Sequence, residues 1–331
     1  MMSFNNPKHI GIFLGVLYGI SARILLDIEF LKDYVNLVSV SFVFFVPFVI
    51  GFIRIHFELR VNSDLTYRKM ITVAWQPIFI FLLVTIFTLL EGSICVVMTL
   101  PAFMFFASLG GLAAGLLNKF IKNRQKGTLL SVTLLPFFLL PLEVNFLHSS
   151  KTYQVENSII IQASPEVVWS QLANVNTIDE SELSFSLTHL IGVPRPIEAS
   201  MNANGVGAVR TSKWAKGVEF KEVITDWVPN HRMAYDFDID PDAIPDDALD
   251  KHVKLGGEYF SPIKGEYLIT KDYEGNTLLH LKTTLLDNTN FGIYSRVWGE
   301  IIFQDFHLSL LKLMKLRSET LLKNNEFSAS L

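Results

Sequence analysis

The sequence predicts two architectures in one chain. Residues 1–147 read as an α-helical transmembrane bundle of about five helices. Residues 152–325 read as an α+β domain, a curved antiparallel sheet wrapped on a long C-terminal helix. Three observations carry this. Half of the 331 residues are hydrophobic, and the excess lies in the N-terminal part. From residue 152 the pattern turns to β-branched, alternating segments parted by turn residues. Last, residues 291–323 place Trp298, Ile302, Phe306, Leu310 and Leu313 at helical spacing. That is an apolar face on a helix of about 30 residues, on the order of 45 Å long.

The first apolar run, 10–26, is broken by Arg23, and 35–55, 70–90, 94–117 and 129–146 follow. Pro101, Pro136 and Pro141 fall inside the last two, where neighbouring helices satisfy the freed backbone groups. Ala107, Gly111 and Gly115 are spaced i, i+4, i+8, which lets another helix approach closely. Arg54, Arg60, Arg68 and Lys69 mark one basic loop, and Lys119, Lys122, Arg124 and Lys126 a second; the turn at Glu91 carries neither Lys nor Arg. The positive-inside rule puts both basic loops and the N-terminus in the cytoplasm. Five crossings then place the C-terminal domain outside it, provided that 129–146 crosses fully. Glu91, with Gly92 and Ser93, reads as an interfacial turn rather than a proton or cation site. No run carries several ionisable groups in register, which argues against a pump or transporter.

Net charge is −4, so nothing points to a nucleic-acid surface. The single cysteine, Cys95, can form neither an intrachain disulfide nor a multi-cysteine metal site. His189, His231, His252, His280 and His307 show no metal-ligand spacing, and no metal or cofactor is expected. The acidic run Asp236–Asp247 lacks the glycine and closing glutamate of a calcium loop and reads as solvated.

In the second half, 153–161 is the first strand. Ser164 caps a short helix that Pro165 and Glu166 begin, with Val167, Val168, Trp169 and Leu172 on its buried face. Residues 183–199, with Pro194 and Pro196, read as loop and short helix. Strand signals follow at 207–214, 218–227, 231–239, 252–260, 264–272 and 277–286, the last two joined at Glu274-Gly275-Asn276.

The segment IIIQASPEVVWSQLANV resembles the opening of the START-like, SRPBCC superfamily, the helix-grip fold of polyketide cyclase/dehydrase-type proteins. GVGAVRTSKW, GVEFKEVITDWVPNHRMAYDF, HVKLGGEYF and GEYLIT are similar to bacterial members that carry an N-terminal multi-span region. The resemblance covers about 155–322, and its motifs specify a fold and not a reaction, so no catalytic residue carries over. It implies a cavity between sheet and helix for a hydrophobic or amphipathic small molecule. Aromatic candidates for lining it are Trp214, Phe220, Tyr235, Phe237, Tyr259 and Tyr267, with Trp298, Ile302 and Phe306 on the helix. Polar candidates are Arg210, suited to a carboxylate or phosphate head group, and His252 and His280, with His189 beside them. Plain core packing for the aromatics and a salt bridge or solvated strand face for Arg210 are the competing readings.

The expected partners are therefore the lipid bilayer and a lipid-like ligand, in a bacterial inner or plasma membrane. The alternatives are a cyclase- or hydrolase-like enzyme using His or Asp as general acid or base, or a membrane sensor or scaffold with a protein partner.

Overall fold

Long apolar runs become helices in the N-terminal half. The computed structural model describes residues 6–26, 41–120, 129–134, 136, 150–245, 248, 255–257, 260–289 and 291–329. The chain divides into two units, Met1–Ser149 and Ser150–Leu331.

In the first unit, α1 is Pro7–Leu26, and a π-helical turn, Ser41–Phe45, runs into α2, Val46–Glu58. Then come α3, Tyr67–Phe87, and α4, Ser93–Phe120. Among the described residues, three segments are long and apolar enough to cross a membrane: Pro7–Leu25, Tyr67–Phe87 and Ser93–Phe120. The expected second run begins, and most of the fifth lies, outside the described residues. Residues 129–134 are helical. Their Leu129 and Val132 pack on Val49, Ile53 and Phe57 of α2, and the Tyr18 hydroxyl donates to the Thr133 carbonyl at 2.9 Å.

Two features organise this unit. First, α2 and α4 meet backbone to backbone. A Cβ on Gly51 would overlap the Ala107 carbonyl, and one on Gly110 the Phe48 carbonyl. The small-residue stripe serves two neighbours, because Gly111 and Gly115 face Met70 of α3. Second, the charges pair by end. At one end Arg54 bridges Glu58 (2.9 Å) and Gln76 (3.0 Å), and Lys8 reaches Glu58 at 3.2 Å. Lys119 Nζ lies 4.7 Å from the Tyr67 ring centroid, so the last turn of α4 adjoins the start of α3. At the other end Arg23, fully buried, pairs with Glu91 and donates to the Leu90 carbonyl at 3.0 Å. The two charges that interrupt the apolar pattern are thus each other's counter-ion. Meanwhile large apolar side chains face outward, among them Phe13, Leu83, Phe87 and Phe105.

The second unit is a seven-stranded antiparallel sheet, order β1-β7-β6-β5-β4-β3-β2. Strands β1 to β7 are Lys151–Ile161, Pro196–Met201, Val209–Trp214, Val218–Val228, Arg232–Asp238, Phe260–Lys271 and Thr277–Asp287. Short helices α5, Pro165–Ser170, and α6, Leu187–Leu190, sit in the β1–β2 connection, and α7, Ile293–Ala329, closes the chain. Strand β7 alternates buried and half-buried residues along its whole length. Its inward Leu279, Leu281 and Leu285 are covered, and Leu311, Leu313 and Met314 of α7 are buried in the same unit.

Two strand expectations change. Pro194 and Pro196 read as breakers, yet Pro196 opens β2 as its first residue, where a missing N–H costs little; on the outer side of this edge strand Val175 bridges Ala199 and Ile178 donates to the Ile197 carbonyl. Most of 252–260 lies outside the described residues. What is seen there is a turn at 255–257 in place of strand, and Phe260, which already belongs to β6; β6 runs through Pro262 by a bulge between Pro262 and Lys264. Helix α7 is tied to the β1–β2 connection at two points. Arg317 holds Glu182 with two nitrogens, at 2.8 and 2.7 Å, and donates to the Asn176 and Thr177 carbonyls. One end of this bridge is half-exposed, but its bidentate geometry fixes direction. Asp305 accepts from the Ser186 hydroxyl (2.5 Å) and the Thr188 N–H (2.8 Å).

Candidate functional site

Strands β3 and β4 form a hairpin about Ala215–Gly217. Lys216 and Gly217 both take positive φ, 59° and 74°, the left-handed step that lets a short loop close without splaying its strands. This turn sets Trp214 opposite Val218, Ser212 opposite Phe220, and Arg210 opposite Glu222. Alternation then sends Arg210, Ser212, Phe220 and Glu222 to the covered face of the sheet.

There Arg210 and Glu222 are 5% and 4% exposed. Arg210 Nη1 donates to Glu222 Oε2 at 2.5 Å, and Ser212 Oγ to Oε1 at 2.8 Å. The Arg210 Nε is buried without a hydrogen-bond partner among the described residues. Burial works against the guanidinium charge, but the Glu222 carboxylate, with Tyr267 and Tyr235 nearby, more than offsets it and holds the Arg210 pKa above its ordinary value. Burial pushes the Tyr267 hydroxyl up to about 12 and Tyr235 well above its usual range. Both phenols are therefore hydrogen-bond donors, not bases, near neutral pH.

A row of rings leads away from this pair. From Tyr267 it passes to Tyr235 (6.3 Å between centroids), Phe237 (5.3 Å), Phe220 (5.8 Å), Trp214 (5.9 Å) and Phe306 of α7 (5.1 Å). Six of the residues picked from sequence thus form one continuous band from the sheet to the helix. Glycine at 265 makes room for it, since a Cβ there would overlap the Tyr235 ring.

The other candidates lie elsewhere. His280 is on the opposite face of β7 from Leu279 and Leu281, beside Glu156 (3.3 Å) and Thr270 (3.0 Å). The period of two excludes it from the covered face. Trp298 and Ile302 are half-buried on α7, and the Ile302 carbonyl accepts from Thr188 Oγ1 at 3.0 Å. His189 lies on α6 with Nδ1 3.1 Å from the Val193 carbonyl, which makes that nitrogen the donor. His252 and Tyr259 fall outside the described residues.

Sequence reasoning missed two members. Glu222 was hidden in a strand whose register had not been drawn. His307 looked like one scattered histidine among several, yet it is fully buried, with Nε2 2.8 Å from Thr283 Oγ1 and Nδ1 3.1 Å from Asn157 Oδ1. Burial lowers its pKa to about 4, so the ring is neutral in the fold. Between pH 6.5 and about 4 the unfolded chain takes up a proton that the folded chain refuses. Stability should therefore fall as pH drops through that window, by on the order of 3 kcal/mol in full, and level off below it. His307→Gln should flatten that limb, as urea titrations at pH 7 and pH 4.5 followed by tryptophan fluorescence would report.

No protein-family profile matches the chain, and no curated protein matches it. Solved structures do, at low identity. One is the di-domain ARO/CYC BexL from the BE-7585A biosynthetic pathway: 13% identity, TM-score 0.34, covering 58% of each chain. Another is SA2116 of Staphylococcus aureus, a protein of unknown function: 12% identity, TM-score 0.34, covering 53% of this chain and 98% of that one. A third is norcoclaurine synthase from Thalictrum flavum: 12% identity, TM-score 0.32, covering 51% and 96%. The chain thus spans little more than half the length of the di-domain protein.

Proposed function

We propose that the chain is a membrane-anchored binder of a hydrophobic or lipid-like small molecule, held between the covered face of the sheet and α7. The observation that carries this reading is the Arg210–Glu222 pair at the foot of the aromatic band. A core built only for stability gains little from such a pair, because desolvating two charges costs as much as their attraction returns. A site that must orient an apolar molecule has a use for it: rings supply contact area, and a few fixed polar groups set direction. The membrane part of the reading is supported by the three apolar helices and by the apolar side chains on their outer faces. With all five crossings, the charge rule puts the ligand domain outside the cytoplasm.

The test is native mass spectrometry of the full chain, purified in detergent, with organic extraction of whatever it carries. An apolar adduct should be retained, and Phe237→Ala together with Phe306→Ala should reduce its occupancy. An empty protein from several lipid-rich preparations would sink the reading.

The enzyme alternative has one observation in its favour, the convergence of Glu222, Tyr235 and Tyr267. Its weakness is chemical. Glu222 already accepts from Arg210 and Ser212, and both phenols hold their protons. None of them is a free base near neutral pH.

A further inference from the structure

Helix α7 turns an apolar stripe outward. Ile293, Val297, Ile301 and Leu308 are 82%, 46%, 40% and 38% exposed. At 100° per residue they fall within a sector of about 80°, which the exposed Gln304 shares. Phe185 and Leu190, 81% and 69% exposed, flank the two residues that bond α7. The segment that presents these two is fixed to the helix, since Ser186 and Thr188 bond Asp305, one turn from both Ile301 and Leu308. Scattered single hydrophobes are normal on a protein surface. A set concentrated on one ordered frame marks an interaction surface.

The chain itself carries the argument for the occupant. Three of its helices are long and apolar enough to cross a membrane. Lys151, the first residue of β1, follows Pro136 by 15 positions, which bounds their separation at about 50 Å. A bilayer is then held against the domain at high effective concentration. The charges flanking the stripe give the character of the contact. Arg296 pairs with Glu300 at 2.8 Å and Lys315 with Glu319 at 3.5 Å, so both of these basic groups are already matched by carboxylates.

We propose that this patch docks the C-terminal domain on the lipid surface, with Phe185 and Ile301 seated at the boundary of headgroups and acyl chains. The contact is apolar, independent of lipid charge and only weakly sensitive to salt. The proposal rests on the membrane reading given above, so the test carries a probe for each.

The full chain, with Cys95→Ser, is placed in nanodiscs of zwitterionic lipid. Single cysteines at Phe185→Cys, Ile301→Cys, Phe105→Cys and Tyr273→Cys carry a polarity-sensitive fluorophore. Position 105 lies on the outer face of α4, and Tyr273 is fully exposed in the β6–β7 turn. The expected result is blue-shifted emission, quenched by doxyl-labelled lipid, at 105, 185 and 301 but not at 273. If 105 senses lipid while 185 and 301 behave like 273, docking is refuted and the membrane reading stands. If 105 also reports water, the membrane reading fails first. A shift at 185 that grows with protein-to-disc ratio and ignores lipid quencher means that a second copy covers the patch, which overturns the proposal. So does a shift that requires added anionic lipid.

Discussion

Glu222→Ala should destabilise the C-terminal unit by roughly 3–5 kcal/mol, because it leaves the Arg210 guanidinium buried at 5% exposure without its carboxylate. The carboxylate also accepts from Ser212, so a second buried donor is stranded with it. The informative comparison is the double variant Arg210→Met with Glu222→Leu. It removes both charges, and stability should return to within about 1–2 kcal/mol of the parent or exceed it. Ligand retention should not return, since the fixed polar group is gone. Chemical unfolding followed by intrinsic fluorescence reads this unit well: Trp169, Trp214, Trp227 and Trp298, four of the five tryptophans, lie within it. A double variant as unstable as the single one would mean that the pair holds the β3–β4 hairpin together rather than serving a bound molecule.

In the other unit the largest effect is expected at the α2–α4 crossing. Gly110→Leu would drive a side chain into the Phe48 carbonyl, which is backbone and cannot rotate aside. Overpacking of a close contact costs about 1–3 kcal/mol where neighbours can yield, and here the upper end or more is expected. Cys95 offers a clean readout, being the single cysteine of the chain and located in α4. Its thiol labelling in detergent should accelerate markedly in Gly110→Leu. Leu109→Ala, one position away and 40% exposed, should leave the rate close to that of the parent.

The parts of this protein that follow from local pattern were legible in its sequence. The apolar runs gave α1, α3 and α4, and the alternation gave most of the sheet. The helical spacing of Trp298, Ile302 and Phe306 located α7, which begins at Ile293, two residues after the expected start. What failed depended on neighbours that a pattern does not contain. Strand β2 was obscured by Pro194 just before it and by Pro196, which opens it at the sheet edge. His280 and Leu281 differ by one residue, and only the strand phase says which faces the helix. The Arg210–Glu222 pair could have been found. A three-residue loop ending in Gly217 fixes hairpin partners whose numbers sum to 432, and Glu222 is then opposite Arg210. His307 could not, since Asn157 and Thr283 reach it from β1 and β7, 150 and 24 residues away.

The Arg23–Glu91 pair also bears on the order in which the first unit assembles. The carboxylate that balances Arg23 is synthesised 68 residues after it. On the membrane reading proposed above, α1 enters the bilayer carrying a charge whose counter-ion arrives only with the turn between α3 and α4. An arginine at the centre of a membrane helix costs about 2.5–3.5 kcal/mol on insertion scales; near a helix end, snorkelling reduces that cost. The first helix can thus be threaded early, but its final seat is set late, when the α3–α4 hairpin closes over it. The pair acts as a checkpoint on assembly: a chain arrested before Glu91 holds its first helix by contacts nearer the N-terminal end, such as Lys8 with Glu58, without the counter-ion of Arg23.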